Sequence, residues 1–330
     1  MSFFAILFAL LIEQVRPLGR SNPIHSSLRA WARWVSGNFD AGKPHHGWIA
    51  WALAAGVPSA AVIAIHWLLI YFLGWPFAVL WSTAVLYATL GFRQFSHHFT
   101  DIRDALDAGD EQRARQLLAD WQQVDASELP RSEIVRHVIE YSVLAAHRHV
   151  FGVLTWFSVL AAFGFGPGGA VFYRMSEFVA RYWKHRSLDE VHPVSPALQS
   201  AASQAWAAID WIPARTTALA FAVVGSFEDA IDCWRNHAQR FPNDNDGVVL
   251  AATSGAVNVR LGGEALKSAF SADASQALSA GGDGPMGATE STPGREAEVG
   301  HLRSIVGLVW RSVVLWMVLL ALLTLARLLG

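Results

Sequence analysis

Long apolar stretches separated by shorter polar ones dominate the pattern along this chain. Residues 48–73 read WIAWALAAGVPSAAVIAIHWLLIYFL, without an Asp, Glu, Lys or Arg, and residues 75–92 follow after a single glycine. About 20 mostly apolar residues are enough to cross the hydrocarbon core of a bilayer. The pattern therefore predicts two membrane helices joined in a tight hairpin at Gly74.

Three further apolar runs extend this picture. Residues 150–165 form one run, and residues 312–326, extended at their start by 305–310, form another. The N-terminal FFAILFALLI lacks the basic leader and small-residue cleavage site of a signal peptide, so we expect a retained anchor helix. Together the runs predict an all-α, polytopic membrane protein with four to five transmembrane helices, embedded in the lipid bilayer.

Two stretches are polar enough to lie outside the membrane. Residues 93–149 contain DIRDALDAGDEQRARQLLADWQ, which predicts two helices with Asp110 capping the second, and a third helix is predicted up to residue 150. Residues 264–303 are rich in Gly, Ala and Ser, which predicts a disordered linker. We therefore divide the chain into five segments. They are an anchor with loop and hairpin (1–92), a cytoplasmic helical segment (93–149), a membrane core (150–263), a linker (264–303) and a C-terminal membrane helix (304–330).

The basic residues around the hairpin predict its orientation. Cytoplasmic loops carry an excess of Lys and Arg, and such residues flank the hairpin on both sides but are absent from its tip at Gly74. We therefore expect both flanks in the cytoplasm and the tip outside. Beyond residue 166 the direction stays open, because the glycines at 166, 168 and 169 permit either a simple crossing or a re-entrant turn.

Composition narrows the range of functions. Apolar residues make up 53% of the chain and charged residues 16%, whereas soluble domains carry roughly 25% charge. The net charge of -2 gives no support to nucleic-acid binding, and the single cysteine, Cys233, excludes an intrachain disulfide. The sequence contains no Walker, GxGxxG, GxSxG or paired-cysteine motif, and we interpret its histidines as interfacial, so no metal site is predicted.

One apolar run contains charged residues at its beginning. DWIPARTTALAFAVVG starts with Asp210 and includes Pro213 and Arg215. A charge in hydrocarbon costs on the order of 3 kcal/mol, and proline suits the first turn of a helix. We therefore expect a helix to begin here, with its N–H groups and Arg215 binding an anion such as phosphate or carboxylate. The alternative is that Asp210 caps the helix and pairs with Arg215.

A second arginine precedes two glycines in AATSGAVNVRLGG. Arg260 is followed there by Gly262 and Gly263. A basic side chain beside a glycine turn is typical of a loop that faces phosphate, although a glycine pair also ends many ordinary helices. The sequence leaves these two interpretations open.

Three motifs, in their order along the chain, resemble the CobD/CbiB family of integral-membrane proteins of cobalamin biosynthesis. They are FGPGGAVFYR, DWIPART and SGAVNVRLGG, and ALLIEQVRPLG and NPIHSSLRAW near the N-terminus also resemble that family. The resemblance covers most of residues 1–263 and the last helix. It implies a multi-pass protein of the inner membrane that joins aminopropanol, or its phosphate ester, to an adenosylated corrinoid acid by ATP-dependent amide formation.

The resemblance also implies binding residues and cofactors. Asp210, Arg215, Arg260, Gly262 and Gly263 become candidate substrate- or phosphate-binding residues. ATP and Mg²⁺ are the implied cofactors and a corrinoid is the implied substrate, although the sequence shows no separate binding motif for either cofactor. A homo-oligomer is left open.

The chain departs from the family at its acidic motifs. Family members carry ENxxDG after a glutamate that matches Glu140, but residues 144–152 read LAAHRHVFG. They carry NTLDSM where residues 176–182 read SEFVARY, with Glu177 as the one acid. Glu140 and Glu177 are thus the remaining candidate catalytic residues. Because Mg²⁺ is normally held by one or two carboxylates plus phosphates, these departures weigh against a retained amide-forming activity.

A second resemblance fits these departures. DWIPARTTALAFAVVGSFEDAIDCW also resembles AmpE, an inner-membrane protein linked to β-lactamase induction that lacks the acidic motifs. Two hypotheses follow: a cobalamin-pathway protein of the amide-forming type, and a non-catalytic AmpE-like sensor or accessory protein. A transporter is disfavoured because the apolar runs contain few charges and no inverted repeat. Whether the chain is an enzyme stays open at this point.

Overall fold

The chain is built from helices. The computed structural model describes residues 2–15, 23–122, 124–187, 193–263 and 290–329, and within these ranges there is no β-strand. The all-α prediction is confirmed. The helices are α1 (Ser2–Val15), α2 (Pro23–Phe39), α3 (Pro44–Leu73), α4 (Trp75–Thr89), α5 (Phe92–Asp107), α6 (Glu111–Gln122), α7 (Arg131–Ala146), α8 (Gly152–Ala162), α9 (Gly168–Arg186), α10 (Pro196–Val224), α11 (Phe227–His237), α12 (Asp244–Val257) and α13 (Val299–Leu329).

Four helical stretches are long and apolar enough to cross a membrane. They are Pro44–Leu73, Arg131–Ala162, Pro196–Val224 and Val299–Ala326, and the apolar helix at Phe3–Val15 is shorter. These stretches agree with the four to five crossings predicted from the sequence. The chain is therefore a multi-pass membrane protein of helical type.

The stretch Arg131–Ala162 is one continuous helix. A π-helical turn at His147–Phe151 joins α7 to α8 without a break. The helix that we predicted to end at residue 150 therefore continues past it. The helix continues because this stretch contains no proline. The π-helical turn at His147–Phe151 is wider than an α-helical turn but does not end the helix.

The chain folds into two compact units. Unit 1 comprises Met1–Gln94, Gly152–Trp211 and Leu320–Gly330, and unit 2 comprises Phe95–Phe151 and Ile212–Leu319. Each unit thus combines stretches that are distant in sequence. The five contiguous segments drawn from the sequence describe membrane and cytoplasmic portions, and they stay predictions.

Unit 1 contains the α3–α4 hairpin and an antiparallel α8–α9 pair. Gly74 joins α3 to α4 with a φ of 88°, a left-handed conformation that favours glycine. A methyl group at Gly169 of α9 would lie 2.0 Å from the carbonyl oxygen of Trp156 in α8, and one at Gly152 would lie 2.1 Å from the ring of Tyr173. These two glycines let α8 and α9 pack in close contact.

Helix α10 begins well before the charged motif. Its first residue is Pro196, and the Ser195 hydroxyl caps it by accepting a hydrogen bond from the N–H of Leu198 at 3.1 Å. The predicted helix start at residues 210–215 is therefore wrong. Both interpretations that depended on it, an anion-binding helix end and a capping role for Asp210, are wrong with it.

A tryptophan explains how the helix passes through Pro213. Proline has no N–H, so the carbonyl oxygen of Ile209, four residues earlier, loses its helical donor. The indole N–H of Trp156 donates to that oxygen at 3.0 Å. Helix α3 contains the same arrangement, because Pro58 lies four residues after Ala54, whose carbonyl oxygen accepts from the indole of Trp31 at 3.2 Å.

Residues 290–298 of unit 2 lie in an ordered, extended segment. Val259 and Arg295 form a parallel bridge, and helix α13 begins at Val299. The prediction of a disordered linker is therefore wrong for residues 290–303. Arg295 pairs with Val259, just after α12, and this pairing orders the segment although it contains few apolar residues. The remainder of the predicted linker, 264–289, lies outside the described residues.

Candidate functional site

A buried network of charged side chains lies along one face of α7 in unit 2. Glu133, Arg136 and Glu140 are spaced three and four residues apart, so they share one side of the helix. The Arg136 guanidinium donates from Nε to Glu133 at 2.9 Å and from Nη1 to Glu140 at 3.0 Å. Arg136 is thus held between two carboxylates that balance its charge.

Glu140 links α7 to the VRLGG turn. Its side chain is fully buried, and its Oε1 accepts a hydrogen bond from the backbone N–H of Gly262 at 2.6 Å. A buried carboxylate is costly unless charges and donors surround it. Arg136 and the Gly262 N–H supply these, so Glu140 fixes the position of both groups.

His137 completes the network. Its Nε2 lies 2.9 Å from Nη2 of Arg136. A guanidinium only donates, so the ring nitrogen is the acceptor in this contact. Nδ1 lies 3.5 Å from Oε2 of Glu140. The imidazole therefore orients the guanidinium from one side while the carboxylates hold it from the other.

Backbone geometry explains the two glycines of the VRLGG turn. Helix α12 ends at Val257, and Asn258 caps it in the left-handed conformation with φ 52°. Gly262 and Gly263 follow with φ of 80° and 125°, values that residues other than glycine rarely adopt. The glycine pair therefore shapes the turn after the helix has ended.

The segment at residues 290–297 holds this turn in place. The N–H of Arg260 donates to the carbonyl oxygen of Arg295, and that of Thr292 donates to Leu261, each at 2.7 Å. The Thr292 hydroxyl is buried and also accepts from the N–H of Leu261 at 2.9 Å. A methyl group at Gly294 would lie 2.8 Å from the backbone of Val259, so glycine is needed for this close pairing.

These elements line a polar cavity in unit 2 that is open to solvent. Its volume is about 790 Å³, which is within the range of small-molecule sites. Its walls come from the loop before α7, the first turns of α7, the VRLGG turn and the 290–297 segment. The residues that line the cavity are Asp125, Ser127, Glu128, Leu129, Pro130, Ser132, Glu133, Arg136, His137, Arg260, Gly262, Gly263, Ser291, Glu296 and Ala297.

The cavity offers both signs of charge. Arg260 is exposed and makes no ion pair with any residue in the described part of the chain. Glu128 and Glu296 are exposed carboxylates of the same lining. Because Arg136 is already balanced, Arg260 is the guanidinium best placed to meet an added anion, and the two carboxylates suit an added ammonium group.

The structure brings together three of the predicted site residues in this cavity. Arg260, Gly262 and Gly263 line it, and Glu140 lies directly behind Gly262. Sequence reasoning missed Arg136, although its spacing from Glu140 is a recognisable helical pair.

Arg215 lies elsewhere in unit 2. It is half-buried and donates from Nη1 to Oδ1 of Asn245 at 3.2 Å, near the first turn of α12, and it is not among the cavity-lining residues. Asp246 follows Asn245 in sequence, and both of its carboxylate oxygens accept hydrogen bonds at 2.8 Å from Nη2 of Arg148 in the π-helical turn. This second polar cluster ties the π-helical turn to α12.

Asp210 and Glu177 belong to unit 1. Asp210 is buried and accepts a hydrogen bond from the Tyr173 hydroxyl at 2.8 Å. Glu177 is also buried and forms ion pairs with Arg174 and Arg181. Both carboxylates are therefore engaged by neighbouring side chains.

Neither candidate catalytic carboxylate fits a magnesium ligand. Mg²⁺ needs carboxylate oxygens that can enter its octahedral shell, but Glu140 and Glu177 face arginine partners and are shielded from solvent. No group of three His, Cys, Asp or Glu residues suited to a metal occurs in the part of the chain that the structure describes. These residues therefore supply no metal site of their own.

Comparison with known proteins places this chain in a family. A family model described as "CobD/Cbib protein" matches residues 3–281. The chain is 28% identical over 328 residues to the cobalamin biosynthesis protein CobD of Stutzerimonas stutzeri, covering 96% of each chain. It is 33% identical over 182 residues to that of Chromobacterium violaceum, covering 55% of each.

A third relative agrees with this assignment. The cobalamin biosynthesis protein CobD of Mycobacterium tuberculosis is 28% identical over 201 residues, which cover 57% of this chain and 58% of that protein. No solved structure matches the chain. The relatives found carry a cobalamin name, so the AmpE-like alternative is not favoured. The chain belongs to the CobD/CbiB family.

Proposed function

We propose that this protein acts in cobalamin biosynthesis by joining aminopropanol, or its phosphate ester, to a carboxylate of an adenosylated corrinoid acid. The observation that carries this proposal is the similarity to a cobalamin biosynthesis protein CobD over 96% of both chains. In ATP-dependent amide formation the neutral amine attacks the carbonyl carbon of the activated carboxylate. The C–N bond forms as the activating phosphate or adenylate leaves with one carboxyl oxygen, and the nitrogen loses a proton. The resemblance assigns the activation to ATP.

The unit 2 cavity is the proposed site for the small amine substrate. Arg260 would bind the phosphate ester, because its guanidinium meets no ion pair in the described chain and a phosphate suits its fork of donors. Glu128 and Glu296 would attract the ammonium group from the same cavity. A cavity of about 790 Å³ is roomy for such a molecule.

Glu140 has a positioning role in this proposal. Its buried carboxylate is turned toward Arg136 and the Gly262 N–H, and it therefore acts on the substrate only through the groups that it orients. Arg215 remains a candidate for contact with the corrinoid or ATP, whereas Glu177 and Asp210 are buried and engaged by neighbouring side chains, so no substrate contact is assigned to them. Glu140 and Glu177 do not fit Mg²⁺, so any metal that accompanies ATP would rely on the phosphates and water, and no step is assigned to it.

The proposed setting is the inner membrane, where a multi-pass protein could meet a large corrinoid at the bilayer surface. Arginines and lysines flank the α3–α4 hairpin on both sides, and this distribution favours an orientation with both flanks in the cytoplasm. Cytoplasmic flanks would give the site access to ATP.

A complementation experiment tests the proposed function. The gene is expressed in a cobalamin-producing bacterium whose corresponding gene is deleted, and growth is measured with and without supplied cobinamide. Wild-type protein and Arg295→Ala should restore growth without cobinamide, whereas Arg260→Ala should not, although it is present in the membrane. Arg295 is the matched control because its exposed side chain does not line the cavity. Wild-type protein that inserts but fails to restore growth would refute the proposal.

A further inference from the structure

One end of unit 1 gathers basic side chains from three separate stretches of sequence. We call this the basic end and define it by Arg29, Arg33, Lys43 and Lys184. The indole N–H of Trp183 in α9 contacts the carbonyl oxygen of Ala32 in α2 at 3.4 Å. The end of α9 therefore lies beside α2, although the two are about half the chain apart in sequence.

Two further contacts join the same stretches. The N–H of Ser195, just before α10, donates to the Asp40 carboxylate after α2 at 2.7 Å. A methyl group at Gly47, in the first turns of α3, would lie 2.7 Å from the carbonyl oxygen of Ala197. The starts of α3 and α10 and the ends of α2 and α9 thus meet at the basic end.

The opposite end of unit 1 is built from turns without charges. The Trp67 indole N–H donates to the carbonyl oxygen of Gly164 at 2.9 Å, and Gly166 packs against the ring of His66. The tip at Gly74 and the α8–α9 turn are therefore at the same end. Residues 44–92 and 149–173, which include both turns, contain no Asp, Glu, Lys or Arg.

The described acidic side chains near the basic end are engaged by other groups. Within the described residues 23–51, 174–187 and 193–201, the acids are Asp40 and Glu177. Asp40 accepts the Ser195 N–H, and Glu177 is paired with Arg174 and Arg181. Among the residues that the structure describes, none of the four cations of the basic end forms an ion pair.

Exposed tryptophans accompany these cations. Trp34 stacks on Trp31 with ring centroids 5.3 Å apart, and 52% of Trp34 is exposed. Trp48, one turn into α3, is 42% exposed. Tryptophan beside Lys and Arg is the combination that settles at the headgroup level of a bilayer, because the ring prefers the interface and the cations meet lipid phosphates.

We propose that the basic end of unit 1 binds the headgroups of anionic phospholipids. The phosphates would be held by Arg29, Arg33, Lys43 and Lys184, while Trp34 and Trp48 lie among the upper acyl chains. The charge-free end would then face the other leaflet. This binding does not depend on the chemistry proposed for unit 2.

Binding of labelled lipids to the full-length protein in detergent tests this proposal. Acyl-labelled phosphatidylglycerol and acyl-labelled phosphatidylcholine are titrated, and fluorescence anisotropy gives the two affinities. Phosphatidylglycerol should bind more tightly. Since each cation near a lipid surface contributes on the order of 1 kcal/mol, Arg33→Gln/Lys184→Gln should weaken its binding by roughly tenfold or more and leave phosphatidylcholine unchanged.

Controls separate this site from general charge and from inorganic phosphate. The variant Arg113→Gln/Arg235→Gln removes two exposed cations of unit 2 and should keep the lipid preference. Equal affinity of the wild type for both lipids, an equal loss in this control, or displacement of the lipid by inorganic phosphate would each overturn the proposal. If Arg33→Gln/Lys184→Gln fails to fold by circular dichroism, Arg29→Gln/Lys43→Gln decides instead: a tenfold loss supports the site, and an unchanged preference overturns it.

Discussion

The indole N–H of Trp156 donates to the carbonyl oxygen of Ile209 at 3.0 Å, and so occupies the acceptor that Pro213 leaves without a helical donor. A proline inside a membrane-length helix is tolerated when a neighbouring group satisfies the freed carbonyl. Trp31 does the same for Ala54 before Pro58. Two tryptophans of this chain thus donate to the carbonyl oxygen that lies four residues before a proline.

Substitution of Trp156 should reveal this dependence. Trp156→Phe leaves the Ile209 carbonyl without its indole donor and should destabilise the protein by about 1–3 kcal/mol. Pro213→Ala restores the helical N–H, so the cost of Trp156→Phe should shrink when both substitutions are combined. Unfolding in mixed detergent micelles measures the four proteins of this cycle. Equal costs in both backgrounds would show that the indole and the proline are independent.

Loss of Glu140 should destabilise unit 2 strongly. Glu140→Ala leaves the Arg136 guanidinium short of one carboxylate and the Gly262 N–H without its acceptor, and breaking a buried ion pair costs about 3–5 kcal/mol. Glu133→Ala is the matched control, because the Glu133 side chain is 36% exposed and should cost less. Denaturation of the purified variants gives both values. A Glu140→Ala protein that is as stable as the wild type would contradict this prediction.

The two ends of unit 1 should be accessible from opposite sides of the membrane. In a Cys233→Ala background, His45→Cys marks the basic end and Phe163→Cys marks the α8–α9 turn, where Phe163 is 73% exposed. An impermeant maleimide should label Phe163→Cys in intact spheroplasts and His45→Cys only in inverted vesicles. Labelling of both positions from the same side would contradict the placement of the two ends of unit 1 on opposite sides of the membrane.

Cys233 should react slowly at neutral pH. Burial raises the pKa of its thiol, and the charge of Asp232 adds to that effect, so less thiolate is present than in an ordinary cysteine. The folded state then holds its proton at pH values where the unfolded state has lost it, and stability should fall as pH rises above the ordinary thiol pKa. Alkylation rates across pH test this, with exposed Gln239→Cys in a Cys233→Ala background as the control. Equal rates at pH 7 would contradict the prediction.

Local patterns in the sequence predicted the hairpin and several helix ends. The tip at Gly74 and the cap of α6 are confirmed, with the Arg113 N–H donating to Asp110 at 2.9 Å. Such features depend on a few adjacent residues. The start of α10 was mispredicted because proline normally begins a helix, and the tryptophan that permits Pro213 inside one lies more than 50 residues earlier in the sequence.

The candidate site was predictable only in part for the same reason. VRLGG is recognisable as a turn, but its contacts with Glu140 and with residues 290–297 join distant stretches. The low-complexity composition around 264–303 also concealed Thr292 and Gly294, which pair closely with the turn. Long-range pairing of this kind leaves no periodic signal in one sequence.

Direct detection of the amide product tests the central claim. Purified protein is incubated with aminopropanol phosphate, an adenosylated corrinoid acid, ATP and magnesium, and the coupled product is measured by mass spectrometry. Wild-type protein and Arg295→Ala should form it, whereas Arg260→Ala should form little. A folded wild-type protein that yields no amide, or an Arg260→Ala variant that yields as much as the wild type, would contradict this account.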